Sequence, residues 1–174
     1  MENDDLRILL PAGGTVSLRT VSPEDEEFLL AVYASTRAEE LAQVPWSDEQ
    51  KTAFVRWQFD LQRKEYDANY PHTEYNVIVV DGRRAGRIWI SRDDEQVRLL
   101  DIALLEEFQN RGVGTVLLRG LINEAASGNK ALRHMVFTPN KDARRFYERL
   151  GFVVFEEVGA YLHMEWRPES SDKT

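Results

Sequence analysis

The stretch 109–115, QNRGVGT, combines a permanently charged arginine, Arg111, with two glycines, Gly112 and Gly114. An apolar segment typical of a strand precedes it and an apolar-periodic segment typical of a helix follows it, which predicts a strand-to-helix loop. The first backbone N–H groups of a helix lack partners, and the helix dipole adds positive character there. Glycines leave room for an anion, so the pattern predicts a phosphate-binding loop, with a simple turn as the structural alternative.

Other familiar binding patterns are absent from the sequence. The loop lacks the Gly-Lys-Ser/Thr of NTPases and the third glycine of the dinucleotide fingerprint. The chain has no cysteine, and its three histidines show no metal-ligand spacing. We therefore expect neither a thiolate nucleophile nor a metal site.

A second pattern of polar, aromatic and glycine residues lies one predicted strand further on. Asn140 is typical of a helix N-cap, and Gly151 of the residue that ends a helix. Phe146 and Tyr147 lie side by side on the apolar face of this predicted helix. The Tyr147 hydroxyl is a candidate proton donor, and a core aromatic is its structural alternative.

Taken together, the two patterns resemble the paired motifs of the GNAT acetyltransferase superfamily. With the strand before each, they cover roughly residues 97 to 155. The motifs read Gln109-x-x-Gly112-x-Gly114 and Asn140-x-x-Ala143-x-x-Phe146-Tyr147-x-x-x-Gly151-Phe152.

This resemblance implies an acetyl-CoA-dependent N-acetyltransferase, with acetyl-CoA as cosubstrate and no metal. The loop would hold the pyrophosphate, and the edge of the strand 102–104 would bond the pantetheine arm like an added strand. The implied donor-binding residues are Ile102, Ala103, Leu104, Gln109, Asn110, Arg111, Gly112, Val113, Gly114, Thr115, Asn140 and Tyr147.

The implied reaction is direct attack of a primary amine on the thioester. By resemblance, Tyr147 protonates the leaving thiolate, and the backbone N–H of Leu104 polarises the acetyl carbonyl. Some family members use a glutamate in the strand before the second motif as the base, but here that strand, 134–137, reads HMVF. Asp101, an acid within an apolar strand, is the best internal candidate for the base, with a structural salt bridge as its alternative. A water chain without a single base is also open.

The elements that must position these residues follow in the order strand, two helices, three-strand meander, strand-loop-helix, strand, helix, two strands. Helix starts are predicted at Ser22-Pro23 and at Ser47, the latter with capping-box spacing. The fold class is therefore α+β, with an antiparallel half and at least one β-α-β crossover. By resemblance we expect a GNAT-like fold, a mostly antiparallel twisted sheet of six to seven strands flanked by about four helices.

The composition is that of one globular domain: 174 residues, 43% of them hydrophobic and 30% charged. We predict an N-terminal extension at 1–14, a single acetyltransferase domain at 15–167 and a disordered tail at 168–174. The net charge of −8 argues against nucleic acid or anionic membrane as a partner. Neither a signal peptide nor an apolar run of about 20 residues is seen, so we expect a cytoplasmic protein.

The acceptor is the least defined part of the prediction. Family resemblance would line its site with the two N-terminal helices, Trp46, the segment 70–75 that contains His72, and Tyr161. The acceptor would be a small-molecule or peptide amine. A non-catalytic acyl-CoA sensor of the same fold is the alternative function, and a longer acyl chain or an oxygen acceptor is a third. Family members are often dimers, which leaves a homodimer open.

Overall fold

The computed structural model describes residues 7–169. Residues 1–6 of the predicted extension and 170–174 of the predicted tail therefore lie outside the described residues. The helices are α1 (Glu26–Ala42), α2 (Asp48–Asn69), α3 (Val113–Ser127) and α4 (Lys141–Arg149). The strands are β1 (Ile8–Leu9), β2 (Thr15–Thr20), β3 (Thr73–Val80), β4 (Arg83–Arg92), β5 (Gln96–Leu104), β6 (Ala131–Phe137), β7 (Val153–Val158) and β8 (Tyr161–Trp166).

All of these strands belong to one sheet in the order β1-β2-β3-β4-β5-β6-β8-β7. Every neighbouring pair is antiparallel except β5 and β6, which are parallel and joined through α3. The predicted α+β GNAT-like fold with four helices is confirmed. The sheet has eight strands rather than six or seven, because Ile8–Leu9 pairs with β2 and adds a short strand at one edge.

Helices cover both faces of the sheet at its centre. On β4, Ile88 and Ile90 face one core with α3 and α4, whereas Trp89 between them faces a second core with α1 and α2. This alternation is the two-residue period of a strand buried on both sides. The second core includes residues of β4 and β5 but none of β6, β7 or β8 among those described.

The parallel strands β5 and β6 separate soon after they meet. Their pairing covers Gln96–Ala131, Val97–Leu132 and Arg98–Arg133, after which β5 continues against β4 and β6 continues against β8. A β-bulge lies at this point, since Trp89 pairs with Asp101 and Ile90 with Leu99, which leaves Leu100 as the extra residue. Bulges bend a strand, and here the bend coincides with the gap between β5 and β6.

The start of α1 is fixed to the sheet by one buried carboxylate. Asp25 is 1% exposed and accepts hydrogen bonds from Arg19, at 2.8 and 2.9 Å, and from Arg84 at 3.3 Å. The hydrogen bonds from Arg19, together with those from Ser22 and Arg84, hold the pKa of Asp25 far below its usual range despite burial. This network ties α1 to β2 and β4.

No helix within residues 7–169 is long and apolar enough to cross a bilayer.

Candidate active site

A cleft of about 750 Å³ opens beside the end of β5, beyond the point where β5 and β6 diverge. Its walls come from β5, the loop that follows, the first turn of α3, one face of α4 and a turn of α1. The lining residues are Ser35, Thr36, Ile102, Ala103, Leu104, Gln109, Asn110, Gly112, Val113, Gly114, Thr115, Asp142, Ala143, Arg145, Phe146, Tyr147 and Arg149. The fold therefore brings into one cleft all of the predicted donor-binding residues except Arg111 and Asn140.

The glycine loop has the backbone geometry of an anion-binding turn. Gly112 is the N-cap of α3 with a φ of 81°, a left-handed conformation that favours glycine, and Asn110 has a φ of 57°. No side chain caps α3, so its first N–H groups have no capping partner and face the cleft. A Cβ on Gly114 would lie 3.5 Å from Phe146, which is ordinary contact, so the protein itself does not require glycine there.

The two predicted residues outside the cleft have other partners. The Arg111 guanidinium lies 3.7 Å from the Asp81 carboxylate, and both side chains are largely exposed. The Asn140 side chain caps α4 by accepting the Ala143 N–H at 3.0 Å, as the sequence predicts.

Sequence reasoning missed two cations on the cleft wall, Arg145 and Arg149. They lie on α4 four residues apart, and this helical spacing was the available signal.

Tyr147 lies under the cleft and its ring is packed on three sides. Ring centroids of His134, Phe146 and Phe152 lie at 4.6, 5.2 and 5.4 Å. Burial, and secondarily the charge of Asp101, raise the pKa of the Tyr147 hydroxyl well above its usual value. Within residues 7–169 this hydroxyl makes no hydrogen bond, so it is a protonated donor without a protein partner.

His134 occupies the gap that the diverging strands leave. Its Nδ1 lies 2.8 Å from the Leu99 carbonyl oxygen, and since a carbonyl only accepts, Nδ1 carries the proton. Burial lowers the pKa of His134, which favours the neutral ring. The side chain thus takes the place of a backbone hydrogen bond between β5 and β6, and its ring packs at a tilt of 41° against the Tyr147 ring.

Asp101 forms an ion pair with a buried arginine. The Arg87 Nε lies 2.6 Å from Asp101 Oδ2, with 1% of the arginine and 23% of the aspartate side chain exposed. Although they are close, Arg87 Nε and Asp101 Oδ2 are not aligned well enough to form a hydrogen bond, and both atoms are buried without one. Arg87 also donates a hydrogen bond from Nη2 to Gln62 Oε1 at 3.2 Å, and its guanidinium lies 4.3 Å from the centre of the Trp89 ring. The structural salt bridge weighed for Asp101 therefore exists, and its role as a base stays a prediction.

Comparisons with known proteins identify the family to which this fold belongs. A sequence model of the acetyltransferase (GNAT) family matches residues 33–152. The chain belongs to the GNAT acetyltransferase family.

Relatives of this family member were found by sequence and by structure. It is 28% identical over 160 residues to MJ1207 of Methanocaldococcus jannaschii, and 27% over 113 residues to CgeE of Bacillus subtilis, both named as uncharacterized N-acetyltransferases. These matches take in 86% and 59% of this chain but only 66% and 44% of the two relatives. The crystal structure of the PaiA N-acetyltransferase from Thermoplasma acidophilum in complex with coenzyme A has a TM-score of 0.65, at 21% identity over 87% of this chain and 98% of that one.

Of the elements predicted to line the acceptor site, α1 reaches the cleft of this GNAT chain through Ser35 and Thr36, whereas Trp46, the segment 70–75 and Tyr161 do not line it. Trp46 packs against Phe54 at 5.2 Å, and His72 is exposed in the turn before β3. Tyr161 lies on β8 beside Phe137, with ring centroids 5.7 Å apart.

Two further residues near the gap were not singled out from the sequence. Tyr66 of α2 donates a hydrogen bond to the carbonyl of the bulged Leu100 at 3.1 Å. Gly86 of β4 allows a close approach of β5, because a Cβ there would lie 2.0 Å from the Ala103 carbonyl oxygen. Both contacts join β5 to another element, α2 for Tyr66 and β4 for Gly86. The sequence alone does not show which residues of these elements meet.

Proposed function

We propose that the chain is an acetyl-CoA-dependent N-acetyltransferase that moves the acetyl group to a primary amine by direct attack. The observation that carries this proposal is the meeting of the uncapped first turn of α3 and the unpaired Tyr147 hydroxyl in one cleft. The family match supports it, as does the coenzyme A bound to the PaiA protein of the same fold.

The donor site is built largely from backbone. Past Arg98, the edge of β5 that faces β6 has no strand partner, so Ile102 offers its N–H and C=O and Leu104 its N–H to an extended ligand. The Leu104 carbonyl already accepts a hydrogen bond from Gln109 Nε2 at 2.9 Å. The N–H groups at the start of α3 suit a pyrophosphate, and Arg145 and Arg149 add positive charge. Acetyl-CoA supplies the acetyl group as a thioester when it is bound there.

Leu104 is oriented to polarise an acetyl carbonyl. The N–H of the next residue, Leu105, donates to the Ala85 carbonyl on the β4 side at 2.9 Å. Successive N–H groups of a strand point to opposite edges, so the Leu104 N–H points into the gap. A single backbone donor at this position stabilises the charge that develops on the carbonyl oxygen.

Tyr147 and Asp101 divide the proton transfers. The raised pKa keeps the Tyr147 hydroxyl protonated through the working range, and its lack of a partner leaves it free to donate to the departing sulfur. Asp101 has one oxygen near Arg87, and its Oδ1 has no hydrogen-bond partner among the described residues. That oxygen receives the proton of the attacking amine.

A non-catalytic acyl-CoA sensor is the second candidate. One observation favours it: β6 has no acid, and the best internal carboxylate is already paired with Arg87.

Calorimetric titration with acetyl-CoA, CoA and a longer acyl-CoA tests the proposal, followed by turnover on a panel of amines. We expect micromolar or tighter binding of acetyl-CoA and release of CoA with at least one amine. Binding without turnover on any amine would favour the sensor, and failure of the folded chain to bind any of the three ligands would refute both functions.

A further inference from the structure

One face of the C-terminal half of the sheet is not covered by any described element. Leu132, Val136, Leu162 and Met164 turn inward to the core under α3 and α4. The side chains that alternate with them on β6 and β8 point the other way, as does Phe155 at a bulge of β7, whose ring lies 6.0 Å from that of His163. Among these side chains are four large apolar groups, each between 38% and 49% exposed. We call this the bare face, and it consists of Met135, Phe137, Phe155 and Tyr161.

The bare face is continuous with the candidate active site. Asp101 pairs with Trp89, so both lie on the sheet face opposite to the core under α3 and α4, which is the face that Phe137 shares. Tyr66 links the two regions: burial, and then the charge of Asp101, raise its pKa, and Tyr161 contributes to the same shift. The gap between β5 and β6 therefore opens onto the bare face beside Asp101.

The dimensions of this surface suit an extended chain. Paired strands lie about 4.8 Å apart, and β5 has already left β6 at Asp101, so at least roughly 10 Å separate Asp101 on β5 from Tyr161 on β8, with β6 between them. An extended peptide covers that distance with about three residues. None of the four bare-face side chains lines the cleft, so they form an open ledge rather than a pocket that encloses a small molecule.

A carboxylate that is already paired with an arginine favours an acceptor amine of low basicity. An α-amino group has a pKa of about 7.7–8.0, against about 10.4 for a lysine, so a far larger fraction of it is neutral near pH 7. An acceptor of this kind needs little help in losing its first proton. Because Asp101 is shared with Arg87 and β6 has no acid, such an acceptor fits the groups present.

We propose that the acceptor is the amino terminus of a polypeptide whose first residues carry large apolar side chains, laid across the bare face with its α-amino group at Asp101. This inference rests on the proposed function. The α-amino nitrogen forms a bond to the acetyl carbon and the carbon–sulfur bond breaks. The nitrogen gives its proton to Asp101, and the sulfur takes one from Tyr147.

A substrate panel tests the proposal on the full chain with saturating acetyl-CoA. It contains matched peptides that begin with Phe, Leu or Gly, an N-terminally blocked peptide with an internal lysine, phenethylamine and spermidine. We expect kcat/KM for the Phe and Leu peptides to exceed that for the Gly peptide at least about tenfold, as for other apolar subsites. Preference for phenethylamine, spermidine or the lysine overturns the inference but leaves the proposed function standing. Acetyl-CoA binding without turnover on any amine refutes both.

Variants of the bare face test whether its side chains contact the peptide, and a control variant elsewhere on the surface shows the effect of a mutation that leaves this face intact. Phe137→Ala and Tyr161→Ala should each lower kcat/KM for the Phe peptide about tenfold and lower it less for the Gly peptide. Trp57→Ala, at a residue of α2 that is 59% exposed and away from this face, is the matched control and should change neither. If the variants instead convert a dimer to a monomer in sedimentation without changing peptide preference, a second copy covers the face and the inference is wrong.

Discussion

The two halves of the sheet are covered differently. Strands β4 and β5 lie between two layers of helices, with α1 and α2 on one face and α3 on the other. Strands β6, β8 and β7 have a core on one face only, and all six residues of β7 are exposed. The candidate active site lies at the junction, where the fully covered half ends and the half with the bare face begins.

The two halves offer a ligand different groups, backbone N–H and C=O groups in one half and side chains in the other. The covered half ends in backbone groups held rigidly by β4, α3 and the glycine loop, which suits a donor with one invariant shape. The other half presents exposed apolar side chains on an open surface, where we propose that the acceptor binds. Tyr147 lies between the two halves: its ring packs against His134 of β6, and it lines the same cleft as the end of β5.

Replacing the Tyr147 hydroxyl should give the largest effect. Tyr147→Phe keeps the ring packing against His134 and Phe152, so binding of acetyl-CoA should not change, whereas kcat should fall about 10²- to 10⁴-fold because the acid is lost. Calorimetry and steady-state kinetics measure the two quantities. Tyr161→Phe, which also loses a hydroxyl near the gap, is the control and should reduce kcat far less. An unaltered kcat in the Tyr147 variant would remove this residue from the role of acid.

Truncations on the two faces of β6 should differ in stability. Leu132→Ala opens a cavity in the core and should lower the free energy of unfolding by about 2–5 kcal/mol. Met135→Ala, three residues along on the bare face, should lower it by less than about 1 kcal/mol. Urea titration of both variants checks this, and equal losses would mean that the bare face is covered in solution.

A carboxylate in the glycine loop should act on the covered half alone. Gly112→Asp places negative charge where the first turn of α3 attracts an anion, so affinity for acetyl-CoA should fall about 100-fold or more. Gly112→Asn is a matched control, because asparagine adopts a φ of 81° about as readily as aspartate does but carries no charge. If both variants bind as the parent does, the loop is only a turn.

Acid should weaken the covered half through Asp25. Its pKa is lowered in the folded state, so its contribution is complete above the unfolded pKa of about 3.9 and is lost as the pH falls toward the folded value. Asp25→Asn should lower the free energy of unfolding by about 2 kcal/mol at pH 7. The variant should also flatten the dependence on pH below about pH 4. An Asp25→Asn protein with the parent's acid profile would show that another carboxylate controls it.

Sequence reasoning succeeded where the signal was local. The glycine loop, the Asn140 cap and the helix start at Ser47 each depend on a few consecutive residues, and all three were predicted with the geometry that the structure shows. Sequence reasoning was less successful for contacts that depend on how neighbouring strands pair. Periodicity does not reveal that Arg87 reaches Asp101, or that Gly86 must leave room for the Ala103 carbonyl.

The N-terminal end illustrates the same limit. Ile8–Leu9 is too short to give a strand pattern of its own, and it joins the sheet only because β2 offers an edge. A histidine in an apolar strand is typical of a packing residue, and His134 is one, but its hydrogen-bond partner could not be predicted from the sequence. Its bond to the Leu99 carbonyl exists only because β5 and β6 diverge.

The short parallel contact between β5 and β6 has a consequence for how the molecule folds. Only three register pairs join the two halves of the sheet, and the chain must pass through all of α3 before the second partner exists. Bringing β5 and β6 together closes a long loop, which costs chain entropy, and gains only a few hydrogen bonds. This contact should therefore form late in folding. The segment from β6 to β8 should then behave as a separate cooperative unit, with amide hydrogens that exchange faster than those of β3 and β4. The gap that forms the candidate active site should then also be the place where the two halves of the sheet separate first.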